Sequence, residues 1–338
     1  MSALGSGEVR LRLRSLLREI VDPQVDFSQS PTPLSGGAFS ANYLFEATHV
    51  PAEWSGRLVL RLLPSGFQAR IEAGLQTGAR DAGVPAPRVV HVEPAGDVLG
   101  APFIVMELLA GRGFLRGIEW YRFARDFPKL LWSWPSTFAD TLRLLSTADS
   151  RPVLDALSRE DFPEQSVLTT RHLSWIKENA AEGELLNAVE WLNANQPVLP
   201  NQLSLVHGDL WPANVLMARG RICGLVDWTR GAVGDPALDV GFAKVGLALM
   251  PEPFPPPPPF RAIARASGVR MATQVHERCA PIVGGDERVA YYEGLRCVLQ
   301  IAEVFADRRI GLRNSWEHGV PALAHHFNTI SGLNAFAS

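Results

Sequence analysis

The sequence predicts an α+β fold in which strands dominate the N-terminal part and helices the remainder. Two short apolar segments, LVLRLL at residues 58–63 and PFIVMELL at residues 102–109, have the length and composition of buried strands. Helical spacing of apolar residues is found instead at residues 9–21, 67–82, 168–193, 236–249, 286–308 and 316–332. The chain is therefore expected to form a small sheet-containing lobe followed by a larger, mainly helical one.

The composition indicates a globular enzyme and excludes several other classes. The 338 residues are 46% hydrophobic and 20% charged. A formal net charge of -3 provides no electrostatic basis for binding nucleic acid or an anionic membrane. No apolar run is long enough to span a bilayer, and the N-terminal residues alternate charge with Leu, unlike a signal peptide. The few cysteines, widely spaced, argue against a disulfide framework or a zinc site, so a cytoplasmic location is expected.

The candidate catalytic residues lie in residues 206–239, which read VHGDLWPANVLMARGRICGLVDWTRGAVGDPALD. A His-Gly-Asp triplet ends at Asp209 and is followed, after four residues, by Asn214. The apolar segments on either side of an Arg-Gly turn predict a hairpin, which returns Asp227 to the side of Asn214. Phosphoryl transfer needs a carboxylate to accept the proton of the attacking hydroxyl, and oxygen ligands to hold magnesium. Asp209 suits the first role, and Asn214 and Asp227 suit the second.

These residues, with Asp227-Trp228 and a Gly-Asp-Pro triplet at 234–236, resemble the signature of the aminoglycoside phosphotransferase family. That family is related to choline kinases. The resemblance implies a bilobal protein-kinase-like fold, with a nucleotide-binding lobe at residues 1–108 and a catalytic and substrate-binding lobe at 109–338. It also implies ATP and Mg²⁺ in the cleft, with Asp209 as catalytic base and Asn214 and Asp227 as metal ligands. His207, Asp235 and Asp239 are expected to brace the catalytic loop.

The same resemblance assigns nucleotide-binding residues in the N-terminal lobe. Gly36, Gly37 and Ser40 match a loop whose backbone N–H groups approach phosphate oxygens. Arg61 stands where the family usually has a Lys that reaches the phosphates, and Glu72 is its candidate ion-pair partner. Two alternatives remain open at this point: a Gly-Gly pair is also typical of a plain hairpin, and Arg61 would point outward if its strand were at a sheet edge.

The strand at residues 102–109 corresponds to the hinge between lobes, where main-chain groups bind adenine. The resemblance assigns backbone contacts to Glu107 and Leu109 and the back of the adenine pocket to Met106. A plain core role for Met106 is equally compatible with the sequence, because methionine is an adaptable filler of apolar space.

Three other segments carry expectations. Residues 26–33 are expected to be a loop. The aromatic-rich residues 112–137 are interpreted either as a helical insert that packs onto the second lobe or as the wall of a pocket for a partly apolar substrate. The run of prolines at 255–259 is expected to be an extended surface connection.

The acceptor itself is not defined by the sequence beyond a small molecule with a hydroxyl group. An acid-lined pocket for a polycation would draw on the acidic residues of the C-terminal helices, Asp286, Glu287, Glu293, Glu303, Asp307 and Glu317. A non-catalytic nucleotide-binding protein of the same fold is the alternative function, and the Arg at position 61 is its only support. A protein kinase is disfavoured, since the chain has no Asp-Phe-Gly triplet and no Ala-Pro-Glu segment.

Overall fold

A five-stranded antiparallel sheet forms the N-terminal part of the computed structural model, which confirms the predicted fold class. The described residues are 6–34, 41–114, 120–160, 162, 168–179, 185–249, 252 and 256–336, without the side chains of residues 6, 120–123 and 259. The strands are β1 (Asp26–Pro33), β2 (Asn42–Thr48), β3 (Arg57–Leu62), β4 (Val89–Glu93) and β5 (Phe103–Glu107). Their spatial order is β1-β2-β3-β5-β4, so β3 is central and Arg61 does not lie at an edge.

The loop predicted at residues 26–33 is wrong, because these residues form β1. The segment DFSQSPTP has no apolar alternation, and its strand character comes from backbone pairing with β2. The pairing is irregular, with register shifts between Phe27 and Gln29 and between Gln29 and Thr32. Edge strands tolerate proline and polar residues, which explains why propensity alone missed this strand.

Two helices cover the sheet. The amphipathic helix α1 (Ser6–Ile20) places Val9, Leu13 and Leu17 in the core of the sheet. Helix α2 (Gly66–Asp81) packs against the other face and also against the helical part of the chain, where Ile71 and Leu75 belong to the main core. Because α2 packs against both the sheet and the helical part, the predicted lobe boundary between residues 108 and 109 stays a prediction.

Helices make up most of the remaining chain. They are α3 (Trp120–Thr147), α4 (Arg151–Ser158), α5 (Arg171–Asn179), α6 (Leu186–Ala194), α7 (Ala237–Ala248), α8 (Pro258–Val283), α9 (Asp286–Arg309) and α10 (Val320–Ser331). Helix α7 contacts both α8 and α9 and lies in the core with α9. None of the helices in the described ranges combines the length and the hydropathy that a bilayer crossing requires.

Helices α3 and α8 differ from the sequence-based expectation. Residues 120–137 of the aromatic-rich segment and the helix after it form the single helix α3, with Pro128 and Pro135 inside it, whereas Arg112–Gly113 form a strand. Trp134 is fully buried and packs edge-on against Phe114 and Phe138, which fits the packing interpretation, whereas Trp132 is 89% exposed. Helix α8 was not predicted, because its apolar residues lack a clear helical period.

The start of α8 also corrects the proline prediction. Of the prolines at 255–259, Pro258 and Pro259 begin the helix, and Pro257 before them is extended. Proline suits the first turn of a helix, where its missing N–H would have no partner.

The candidate site is carried by short strands that do not belong to the five-stranded sheet. Strand β7 (Ser204–Val206) pairs with β10 (Ala232–Gly234), and β8 (Val215–Ala218) pairs with β9 (Arg221–Leu225) and with β6 (Arg112–Gly113). The segment that carries Asp209 lies between β7 and β8, and the segment that carries Asp227 lies between β9 and β10.

Candidate active site

The segment between β7 and β8 brings Asp209 and Asn214 into direct contact. The side-chain amide of Asn214 donates from Nδ2 to Oδ2 of Asp209 at 3.0 Å and to the Asp209 backbone carbonyl at 2.9 Å. The predicted hairpin is present: Val215 pairs with Leu225, and the N–H of Val226 donates to the carbonyl of Asn214 at 3.0 Å. Because Nδ2 is directed to Asp209, Oδ1 is the atom of this side chain that suits a cation.

Hydrogen bonds of Asp239 and His207 fix the loop between β7 and β8, the candidate catalytic loop that carries Asp209. The carboxylate of Asp239, at the start of α7, accepts the backbone N–H groups of His207 at 3.0 Å and Gly208 at 2.7 Å. The ring Nε2 of His207 lies 3.1 Å from the carbonyl of Val226. Since burial lowers the pKa of His207, the ring is neutral at pH 7, and a carbonyl partner requires Nε2 to carry the proton. These bonds tie the loop to the end of the hairpin.

Arg61 joins the sheet to the second of these segments. Its Nε lies 3.0 Å from Oε1 of Glu72, which is the predicted ion pair, and its Nη2 lies 2.6 Å from Oδ1 of Asp227. Thr229 closes the group, because its hydroxyl lies 3.0 Å from Glu72 Oε2 and 2.7 Å from Asp227 Oδ1. Arg61 therefore has two carboxylate partners rather than one. Neither the Asp227 partner nor Thr229 was predicted, since no local pattern links residues 166 positions apart.

Asp227 has an unusual backbone conformation. Its φ of 67° lies in the left-handed region, which is uncommon for a residue with a side chain and is tolerated best by Asn and Asp. Burial would raise the pKa of Asp227, but Arg61 and the Thr229 hydroxyl outweigh it, so the pKa lies below its usual value. Burial raises the pKa of Glu72, because Arg61 is shared with Asp227 and offsets only part of the lost hydration. Asp227 is thus the more strongly ionised of the two carboxylates.

The predicted hinge follows β5. The backbone N–H of Glu107 donates to Arg88 O at 2.9 Å, and its carboxylate accepts from Arg80 at 2.6 Å. The assignment of adenine contacts to the backbone of Glu107 and Leu109 stays a prediction. Met106 is 8% exposed and receives a 3.6 Å contact at its sulfur from Gln76 Nε2, so it has the environment of a core residue.

The predicted phosphate loop lies outside the described residues, which applies to Gly36, Gly37 and Ser40. The two ends of this loop are described. The N–H of Leu34 donates to the carbonyl of Asn42 at 2.8 Å, and Asn42 pairs with Arg61 across β2 and β3. The loop therefore leaves the sheet beside Arg61.

With the geometry defined, comparison with known proteins shows the family. A sequence model of the phosphotransferase enzyme family (APH) matches residues 30–282. The chain belongs to this family. The protein kinase-like fold expected from the sequence is also found among solved structures. An APH(4)-Ia aminoglycoside phosphotransferase variant in complex with AMP-PNP and hygromycin B has a TM-score of 0.61 and 16% identity, covering 95% of this chain and 97% of that one. At this identity the likeness shows the fold alone.

Two further relatives of this chain are informative. An aminoglycoside-3'-phosphotransferase of type VIII has a TM-score of 0.53 and 20% identity, covering 85% of this chain and 98% of that one. Acyl-CoA dehydrogenase family member 10 of Mus musculus is 29% identical over 216 residues, which are 59% of this chain and 19% of that protein. The chain thus spans about a fifth of the length of the first curated relatives that it matches.

Gly208 is required by its surroundings, and its replacement is expected to destabilise the protein. Gly208 has φ 73°, and a Cβ there would lie 2.1 Å from the carbonyl oxygen of Arg230. We expect Gly208→Ala to lower the free energy of unfolding by about 2–4 kcal/mol, from left-handed strain together with the overlap. Gly220→Ala is the matched control, since Gly220 has φ 77° and open space around it. Equal losses in urea unfolding of the two variants would contradict this explanation.

The burial of Asp239 predicts a specific pH dependence of stability. Burial raises its pKa to about 7 despite the two backbone hydrogen bonds. An unfolded chain has an Asp pKa of about 3.9, so folding favours the protonated carboxyl. The contribution of Asp239 is therefore complete below about pH 4 and is lost as the pH rises to about 7, by at most about 1.4 kcal/mol per pH unit.

The measurement is urea unfolding across this pH range. Asp239→Asn should remove this component, so that the difference in stability between wild type and variant changes with pH. The exposed Asp140→Asn should keep the wild-type profile, because Asp140 is 66% exposed and its ion pair with Arg143 lies at the surface. Parallel profiles for wild type and Asp239→Asn would show that Asp239 does not titrate in this range.

Proposed function

We propose that this phosphotransferase transfers the γ-phosphate of ATP to a hydroxyl group of a small molecule. The observation that carries the proposal is the contact between Asp209 and Asn214, formed beside the group of Arg61, Glu72 and Asp227. A carboxylate positioned by an amide, next to an ionised carboxylate and a buried guanidinium, is the arrangement that phosphoryl transfer needs. The proposal keeps the expectations drawn from the composition, which are a small-molecule acceptor, a cytoplasmic location and no nucleic acid or membrane partner.

In this proposal each residue has a separate role. Asp209 orients the acceptor hydroxyl and accepts its proton. Asn214 keeps the Asp209 carboxylate in place, and with Asp227 it would hold Mg²⁺ through oxygen atoms, which are the ligands that this ion prefers. Bound Mg²⁺ supplies charge neutralisation at the phosphates. The donor set fits that ion: the lowered pKa keeps Asp227 ionised, and the amide orientation of Asn214 presents Oδ1.

The contacts to the nucleotide are assigned to residues of the N-terminal sheet lobe. Arg61 steadies the phosphates while Glu72 keeps the guanidinium in position. Gly36, Gly37 and Ser40 cover the phosphates, and Glu107 and Leu109 bind adenine through backbone atoms, with Met106 behind it. Phosphate would compete with Asp227 for the Arg61 guanidinium.

The proposal is tested by nucleotide binding and by ADP release. AMP-PNP with Mg²⁺ should stabilise the protein, by about 2.7 kcal/mol at a hundredfold excess over Kd, and stabilise it less without Mg²⁺. A library of hydroxyl compounds should then include acceptors that raise ADP release from ATP above the rate without acceptor. No stabilisation by AMP-PNP with or without Mg²⁺ would contradict the proposal at its first step.

A non-catalytic nucleotide-binding protein is the second candidate, because one observation favours it. Arg61 lies 2.6 Å from Oδ1 of Asp227, so a carboxylate oxygen assigned to the metal is paired with a cation. If this ion pair persists, nucleotide should bind equally well with and without Mg²⁺, and no acceptor should raise ADP release. Mg²⁺-dependent binding and turnover would exclude this candidate.

A further inference from the structure

Thr229 lies two residues after Asp227, at the point where several charged side chains meet. Its hydroxyl oxygen is 3.1 Å from Nη2 of Arg61, 3.0 Å from Oε2 of Glu72 and 2.7 Å from Oδ1 of Asp227. The third residue of the protein-kinase Asp-Phe-Gly triplet is a glycine, so this hydroxyl has no counterpart there. The roles proposed for Arg61 and Glu72 do not explain why a hydroxyl is placed between them and Asp227.

The single proton of the Thr229 hydroxyl decides which neighbour it binds. A threonine hydroxyl donates one hydrogen bond and accepts others through its lone pairs, whereas a guanidinium only donates. Arg61 Nη2 therefore donates to the hydroxyl oxygen, and the hydroxyl proton is left for one carboxylate. Asp227 at 2.7 Å is nearer than Glu72 at 3.0 Å, and Glu72 already has Arg61 Nε at 3.0 Å. The geometry thus directs the Thr229 proton to Oδ1 of Asp227.

The position of this hydroxyl is fixed by the residues around it. Trp228, which precedes it, is 1% exposed and donates from its ring N–H to the Leu225 carbonyl at 3.0 Å. The backbone carbonyl of Thr229 accepts a hydrogen bond from Arg171 at 3.2 Å. Threonine is branched at Cβ, which restricts its side-chain rotamers. The hydroxyl is therefore a rigid partner for the Asp227 carboxylate.

The two carboxylate oxygens of Asp227 have different surroundings. Oδ1 receives the Arg61 guanidinium at 2.6 Å and the Thr229 hydroxyl at 2.7 Å. Within the described ranges, neither a hydrogen bond nor an ion pair reaches Oδ2, and the Asp227 side chain is 35% exposed. Oδ2 is consequently the oxygen of Asp227 that suits a cation.

Without the hydroxyl, the Asp227 carboxylate would have a second way to pair with Arg61. Guanidinium and carboxylate groups frequently pair through two parallel hydrogen bonds, and the terminal torsion of an aspartate is broad. Arg61 uses Nε for Glu72 and Nη2 for Asp227, whereas Nη1 has no partner among the residues that the structure describes. A carboxylate turned about this torsion would offer both oxygens to the guanidinium, so Oδ2 would no longer be available to a metal ion.

We propose that Thr229 is a positioning residue, whose hydroxyl holds Oδ1 of Asp227 on Arg61 and so leaves Oδ2 to bind Mg²⁺. This inference rests on the proposed phosphotransferase function, because that function requires the metal. The oxygens fit the ion, since a carboxylate Oδ2 and the amide oxygen of Asn214 are both hard ligands. The inference also explains how Asp227 serves a cation of the protein and a metal ion at the same time.

The first test compares AMP-PNP binding with Mg²⁺ and in EDTA. Thr229→Val keeps the branched shape of the side chain without its hydroxyl. Its Kd for AMP-PNP with Mg²⁺ should be about 10- to 100-fold higher than that of wild type, the range for removing a group that orients a metal ligand. The Kd in EDTA should change little, because no metal is bound there. Thr229→Ser retains the hydroxyl and should recover most of the loss.

A control and two outcomes define what this comparison means. Thr141→Val is the matched control, because the buried Thr141 hydroxyl donates to the Thr137 carbonyl within α3, and both Kd values should stay at the wild-type level. Equal weakening of Thr229→Val with Mg²⁺ and in EDTA, or no weakening, would overturn the inference alone. A wild-type Kd that does not depend on Mg²⁺ would contradict the proposed function, and the inference would fall with it.

Two further measurements keep the inference testable if Thr229→Val does not fold. Thr229→Ser and Thr229→Ala differ by the hydroxyl alone, so the Mg²⁺-dependent weakening should appear in Thr229→Ala and not in Thr229→Ser. A crystal structure of ligand-free Thr229→Ala should have both Asp227 oxygens within hydrogen-bond distance of the Arg61 guanidinium. An Asp227 carboxylate that keeps its wild-type orientation in that structure would count against the inference, whatever the result for ADP release.

Discussion

Asp209→Ala is expected to abolish phosphoryl transfer while nucleotide binding survives. The Asn214 amide donates to the Asp209 carboxylate, which in the proposed function accepts the proton of the acceptor hydroxyl. A positioned general base contributes about 10²–10⁴ in rate. ADP release with the best acceptor should therefore fall by at least about a hundredfold, whereas stabilisation by AMP-PNP with Mg²⁺ should stay close to that of wild type.

Two controls define what the Asp209 result means. Asp209→Asn preserves the size of the side chain and an oxygen for the Asn214 amide, so a similar loss of rate would assign the effect to the missing base rather than to loop geometry. The exposed Asp140→Asn should leave the rate unchanged. Should Asp209→Ala retain more than about a tenth of the wild-type rate, well above the residual that removing a base leaves, the assignment of Asp209 would be wrong.

Arg61→Met is expected to have the largest effect on stability. The change leaves Glu72, which is fully buried, and Asp227 without their shared cation. Removing one partner of a buried ion pair costs about 3–5 kcal/mol. The free energy of unfolding in urea should fall by that amount, with a larger fall above pH 7, because the pKa of Glu72 is about 7 beside Arg61 and rises further when that cation is removed.

A double variant separates charge from packing in this result. Arg61→Met with Glu72→Leu should be more stable than Arg61→Met alone, because the uncompensated carboxylate is removed together with its partner. The matched control is the ion pair of Arg143 and Asp140, whose side chains are 59% and 66% exposed. Arg143→Met breaks this surface pair and should change the free energy of unfolding by less than about 0.5 kcal/mol. Equal losses for Arg61→Met and Arg143→Met would show that the buried group contributes no more than a surface pair.

The parts of the fold that the sequence predicted correctly are those that local patterns define. Apolar runs located β3 and β5, helical periodicity located α1, α2, α7 and α9, and an Arg-Gly turn located the β8–β9 hairpin. Strand β1 and helix α8 were missed for opposite reasons. Polar residues form β1 because a neighbouring strand offers hydrogen bonds, and the residues of α8 lack the one-sided apolar pattern that marks a surface helix.

For the candidate site, the sequence by itself determined the contact between Asp209 and Asn214 and the return of Asp227, because residues within one loop and one hairpin meet through short connections. The ion pair of Arg61 and Glu72 was predicted through family resemblance. Only the tertiary structure decided that Arg61 also binds Asp227 and that Arg171 donates to the Thr229 carbonyl. Those contacts join distant elements, and their positions depend on how helices and sheet pack, which no local pattern of residues encodes.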